Sequence, residues 1–132
     1  MIYEWIELDT VLAIHDLQVS EHGGAPGIID LGLIESALSK PKNLLNYGTP
    51  DCIDLAAAYG FALARNHGFI DGNKRTAYVV TRLFLRLHDM DFMASPIERV
   101  FAFEKLGKGD YSLKEFTNWL RKNCKPVSKP GI

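Results

Sequence analysis

Apolar positions recur along this chain at helical rather than alternating spacing, and the helices they predict are punctuated by glycine, proline and capping residues. From Asp9 to about Ser20, the residues Leu8, Val11, Leu12, His15 and Val19 fall near one stripe and predict a first helix. His15, beside Asp16, reads as a hydrogen-bonded core residue rather than a ligand. Gly23-Gly24-Ala25-Pro26-Gly27 ends that helix, because glycine permits positive φ and proline removes a backbone donor. No strand precedes this stretch and no Gly-Lys-Ser/Thr follows it, so it reads as a turn packed on the domain and not as a phosphate loop.

Asp30 is placed to cap a second helix that turns Leu33, Ile34, Ala37 and Leu38 inward and stops before Pro41. Thr49-Pro50 reads as the N-cap and first residue of a third. There Leu55, Ala56, Ala57, Ala58, Gly60, Ala62 and Ala64 put small residues on nearly every face, the pattern of a helix surrounded by neighbours. A fourth helix runs from Gly72 or Asn73 to about His88 and buries Ala77, Val80, Leu83, Phe84 and Leu87, with Phe69 plugging the core just before it. Asp91 to Ala94 is extended at most. Ser95-Pro96-x-Glu98 is a capping box for a fifth helix through Val100, Phe101 and Leu106 to Gly107, and Ser112-x-x-Glu115 opens a last one with Leu113, Phe116, Trp119 and Leu120. The pattern predicts an all-α, compact single-domain bundle of about six helices over residues 1–124. A tail at 125–132, with two prolines, is expected to be mobile.

Composition narrows the function classes. A chain of 132 residues buries enough surface to fold without metals or disulfides. Its net charge of −1 lacks the basic face needed to grip a nucleic-acid backbone, so no direct nucleic-acid partner is expected. No apolar run approaches the roughly 20 residues of a membrane span. Glu4, Glu7 and Asp9 stand where a signal peptide would carry positive charge, so a cytoplasmic protein without membrane contact is expected. Cys52 and Cys124 have no CxxC spacing and read as free thiols.

The chemistry concentrates between the third and fourth helices, at His67-Gly68-Phe69-Ile70-Asp71-Gly72-Asn73-Lys74-Arg75-Thr76. Taken singly, each residue fits a capping role: His67 closes a helix, Asp71 opens one, Lys74 and Arg75 are a solvated first turn. Taken together they do not, because cations are electrostatically misplaced at a helix N-terminus unless something anionic sits there. The N–H groups opening the fourth helix, at Gly72 and Asn73, with Lys74 and Arg75, form a candidate phosphate-binding set. Asp71 is a candidate Mg²⁺ ligand. His67 is a candidate general base of the type that exchanges protons near neutral pH.

This stretch resembles the Fic/Doc signature His-Pro-Phe-x-(Asp/Glu)-Gly-Asn-Gly-Arg-x-x-Arg, and is closer to the Doc ("death on curing") form His-x-Phe-x-Asp-x-Asn-Lys-Arg. Gly68 replaces Pro, Lys74 replaces the second Gly, and Tyr78 stands at the final Arg. Ile14-His15-Asp16, Gly23-Gly24-x-Pro26-Gly27, Asp30-x-Gly32 and the alanines before His67 extend the resemblance over roughly Ile6 to Ser95. It implies a helical Fic/Doc-type fold, ATP and Mg²⁺ as cofactors, and catalysis by His67, Asp71 and Lys74. It also implies a toxin that transfers the γ-phosphoryl of ATP to a threonine of translation elongation factor Tu. Fic enzymes with Gly at the Lys74 position transfer AMP instead, and a non-catalytic binding module is a third possibility. Residues 42–48 are read either as the flap that Fic-type proteins lay over the target segment or as an ordinary connection. Self-silencing Fic proteins carry a (Ser/Thr)-x-x-x-Glu-(Gly/Asn) helix whose Glu reaches the final Arg. Neither the motif nor the Arg is present, so the resemblance implies a Phd-like antitoxin acting in trans.

Overall fold

A computed structural model describes residues 2–127. Six helices and two short strands follow in order: α1 Leu8–His22, α2 Leu31–Leu44, α3 Cys52–Asn66, α4 Asn73–Leu87, β1 Met90–Phe92, α5 Pro96–Lys108, α6 Leu113–Lys122 and β2 Cys124–Pro126. The all-α expectation holds. The alanine-rich α3 is the axis of the bundle, packed by α2, α4, α5 and α6. Residues Ile53 and Leu55–Gly60, with Ala62, Leu63 and Ala64, are all buried. Its small side chains let neighbours approach closely: a Cβ on Gly60 would stand 2.3 Å from Thr81 Oγ1 and 3.2 Å from the Phe116 ring. Both capping boxes on α5 and α6 form as the sequence predicts.

Several boundaries differ. Pro41 lies inside α2 rather than ending it. It costs the helix one N–H bond, to the carbonyl of residue 37, while its ring is buried in the core. The cap of α3 is Asp51, not Thr49, because Asp51 and Asp54 satisfy each other's backbone N–H groups reciprocally at 2.9 Å. Arg121 of α6 then bonds both carboxylates. Leu33 and Leu87 lie at the surface, as do Val100 and Phe101, while Leu85 and Phe103 take core positions. The tail begins as structure: Lys125 and Pro126 pair antiparallel with Asp91 and Met90, and the Val127 N–H reaches the Asp89 carbonyl. Residues 128–132, also read as mobile tail, lie outside the described residues. No helix among the described residues is long and apolar enough to cross a membrane. Both cysteines are free, and burial pushes the Cys124 thiol up to about 12.

The Asp51 carboxyl has a pH signature. Partial burial pushes it up, but the Arg121 hydrogen bond and the Asp54 contacts outweigh that and hold it at about 2. The unfolded value is about 3.9, so this stabilisation is present above about pH 4 and is lost as pH falls towards 2. Arg121→Met is expected to lower stability at neutral pH by about 1 kcal/mol, after discounting for solvent screening of a half-exposed pair. Urea unfolding of the two proteins should converge as pH drops through that window.

Candidate active site

The elbow between α3 and α4 is held from three sides. His67 caps α3 in the left-handed region at φ 50, a conformation costing roughly 1 kcal/mol for a residue with a Cβ. Gly68 follows, and a side chain there would meet Ile34 Cγ1 at 2.5 Å. Phe69 is buried, with the His15 ring stacked on it at 3.7 Å and 8°. His15 Nε2 lies 2.7 Å from the Asp71 carbonyl and donates to it, whereas Asp16 is 3.9 Å away. The sequence reading of His15 as a core residue holds, with a partner 56 positions distant in place of its neighbour. Asn73 closes the loop from within: its side-chain amide accepts from the Phe69 N–H at 3.0 Å and donates to the Phe69 carbonyl at 2.9 Å. The Asn73 side chain thus clasps the loop at both backbone groups of Phe69. Gly72, in the left-handed region at φ 78, is the N-cap of α4.

Residues 24–30 lie against this elbow. Ile28 bridges Phe69, the Ile29 N–H donates to the Gly68 carbonyl at 2.8 Å, and the Ile70 N–H donates to the Gly27 carbonyl at 3.1 Å. Residues 42–44 complete α2, and 45–48 form the turn after it. Gly24 packs on Asp71 so closely that a Cβ would stand 2.8 Å from Oδ2.

Around the elbow the predicted side chains converge on one cleft of about 720 Å³ between α4 and α5. His67, Asp71, Gly72, Asn73, Lys74 and Arg75 all line it. His67 is exposed and directs Nε2 to the Gly107 carbonyl at 3.1 Å. The Asp71 carboxylate accepts from the Gly72 N–H at 2.8 Å and the Ala25 N–H at 3.3 Å, and these two bonds, the first foremost, hold its carboxyl below the ordinary range. It is an exposed carboxylate, ionised at neutral pH. Lys74 Nζ bonds Glu104 Oε1 at 2.7 Å, which lowers the Glu104 carboxyl, while Arg75 stays exposed without an ion pair among the described residues.

The wall facing these residues was not foreseen. Tyr78, Val100 and Phe103 make the far part of the cleft apolar. Arg99 lies over the Tyr78 ring and donates to its hydroxyl at 2.8 Å. Glu104 and Gly107 reach the catalytic candidates from 30 and 40 positions away. Only Gly107 carried a signal, as a glycine within a helical pattern.

This geometry agrees with the sequence comparisons. The model of the Fic/DOC family matches residues 5–85. The chain belongs to the Fic/Doc family. Its relatives include the protein kinase doc of Escherichia phage P1, 36% identical over 92 residues, which are 69% of this chain and 73% of that protein. Another is the toxin Doc of Mycolicibacterium smegmatis, 34% identical over 94 residues, 69% of each chain. The Fic/Doc match contains the whole elbow and stops before α5.

His15→Phe keeps the stack on Phe69 but leaves the Asp71 carbonyl without its donor. It is expected to cost about 1–2 kcal/mol in thermal unfolding. Amide exchange at Gly72 and through the first turn of α4 should quicken selectively, as checked by hydrogen exchange.

Proposed function

We propose that this cleft transfers the γ-phosphoryl group of ATP to a protein hydroxyl, a threonine, and that the chain is the toxin of a toxin–antitoxin pair. The observation that carries this reading is the position of Lys74, whose stem crosses beside Gly107 and whose ammonium enters the cleft shared with His67 and the open end of α4. A polyphosphate seated there meets the N–H groups of the first turn of α4, the point charge of Lys74 and the fork of Arg75. The Lys74–Glu104 pair is about half exposed and worth at most about 1 kcal/mol, so phosphate oxygens can share or replace the carboxylate.

In this seating the terminal phosphate lies nearest His67. His67 takes the proton of the incoming hydroxyl, whose oxygen forms the new bond to phosphorus as the bond to the ADP oxygen breaks. The cations and N–H groups hold the charge that builds on the departing ADP. Asp71 fits Mg²⁺: one exposed, ionised carboxylate suits an ion that takes its other ligands from phosphates and water, where it neutralises phosphate charge. The apolar part of the cleft at Tyr78, Val100 and Phe103 is suited to the nucleoside.

The relative named as a protein kinase supports the reaction, and the relative named as a toxin supports the setting. A translation factor such as elongation factor Tu is the proposed target. A Phd-like antitoxin is the proposed partner, since the chain lacks a self-inhibitory motif and α5 carries exposed Ile97, Val100 and Phe101 beside the cleft. One observation favours AMP transfer as the second reading: Arg99, at Tyr78, puts a guanidinium where the far end of a triphosphate could be secured.

With target protein and ATP labelled at either the α or the γ phosphorus, label from the γ position alone is expected on protein. Retention from α would replace the kinase reading with AMP transfer, and retention from neither would leave a binding module. His67→Ala, Asp71→Ala and Lys74→Ala should each cut transfer by about a hundredfold or more and relieve growth arrest, with folding intact by circular dichroism.

A further inference from the structure

We propose that the last turn of α5 is a positioning device for both catalytic side chains: the Gly107 carbonyl fixes His67 in the tautomer protonated at Nε2, which makes Nδ1 the basic atom, and Glu104 holds Lys74 beside it. The inference deepens the proposed function and rests on His67 as its base, but its first test does not require transfer of any group.

A carbonyl oxygen only accepts, so at 3.1 Å the proton of that bond belongs to Nε2. The lone pair is left on Nδ1, the second ring nitrogen, and the target hydroxyl must approach from that side. This is the arrangement in which a backbone carbonyl orients an imidazole and sets its tautomer. Gly107 lies in the last turn of a helix ending at Lys108, where carbonyls lack an intrahelical N–H. The Gly109 and Asp110 N–H groups turn back to Leu106 and Lys105, so the Gly107 carbonyl is left for His67. The negative end of the α5 dipole thereby faces a ring that becomes cationic when it takes the proton to Nδ1. During the step the second proton stays on Nε2, hydrogen-bonded to the Gly107 carbonyl, and no second proton acceptor is needed.

Residue 107 is glycine for a spatial reason. A Cβ there would lie 2.8 Å from Lys74 Cδ and 3.0 Å from Cγ, so any side chain displaces the lysine stem or the turn. Glycine in a helix costs about 1 kcal/mol against alanine, and the crossing of Lys74 accounts for its presence. Glu104, one turn earlier, bonds the ammonium at 2.7 Å. The C-terminal end of α5 therefore fixes the lysine at stem and tip and the histidine at one nitrogen. Both positioning residues lie outside the region matched by the family model.

The first test is the long-range ¹H–¹⁵N spectrum of the full chain labelled at histidine nitrogen, with the His67 signals assigned through His67→Gln. With its ring neutral, His67 is expected to show a protonated Nε2 and a bare Nδ1. A protonated Nδ1, or an even mixture, overturns the proposal. The second uses Gly107→Ala, which moves the lysine stem. It should lower kcat by on the order of tenfold or more and mix the His67 tautomers. Glu104→Ala should lower kcat by a few-fold, up to about fivefold for a pair worth about 1 kcal/mol, whereas Glu104→Gln, which keeps an acceptor for the ammonium, should retain most of it. A folded Gly107→Ala protein with unchanged kcat and unchanged tautomer refutes the inference. If Gly107→Ala does not fold, the wild-type tautomer and the Glu104 pair decide. If no phosphorus is transferred at all, the kinase reading fails while the tautomer result stands or falls by itself.

Discussion

Gly68 and Phe69 have to be buried while His67 before them and Ile70 after them stay exposed. The Phe69 ring enters the core under His15, so the backbone must turn sharply at each flank. The left-handed conformations at His67 and Gly72 are where it turns. His67 is thereby thrown outward from the end of α3, and α4 starts with its open N–H groups pointing into the same cleft. The Asn73 amide and the His15 bond to Asp71 are both backbone clasps on this short loop. Burial of an aromatic side chain supplies several kcal/mol, enough to offset the roughly 1 kcal/mol cost of the left-handed His67, while Gly72 adopts its positive φ without a Cβ to strain. The site is rigid because its anchor belongs to the core.

Electrostatics then divides the cleft. Two cationic side chains at the positive end of a helix are an unfavourable arrangement without an anion. In the protein alone Glu104 supplies part of the compensation at Lys74, while Arg75 forms no ion pair among the described residues and meets only the field of Asp71. Asp71 is held ionised by N–H groups from both sides of the elbow, one of them from the glycine-rich segment after α1. The arrangement suits a ligand that brings several negative charges at once, with a cation of its own.

Legibility in the sequence followed distance along the chain. Ser95 with Glu98 and Ser112 with Glu115 are local pairs, and their helices start as expected. The alanines of α3 signalled a central helix because small residues on all faces suit a helix that neighbours enclose and leave little to pack on one that solvent surrounds. Thr49-Pro50 lost to Asp51 because two capping signals stood two residues apart, and Arg121, 70 positions away, stabilises the second. Pro41 continued its helix because burial of its ring is a tertiary matter. The lining of the site divided in the same way. His67 to Arg75 were readable as a local constellation, whereas Glu104, Gly107 and Arg99 belong to a helix whose placement nothing local encodes. Lys125 and Pro126 read as tail because a two-stranded pairing with Asp91 and Met90 leaves no periodicity in three residues.

The central claim is a preformed polyphosphate site at the start of α4, walled by the last turns of α5. Backbone amide resonances during titration with ATP and Mg²⁺ test it most directly. The largest shifts are expected at Asn73, Lys74 and Arg75, with smaller ones at Glu104 and Gly107, and little change in α1, α2 and α6 because the site needs no rearrangement. Shifts centred elsewhere, or none at the three amides that open α4, would contradict it.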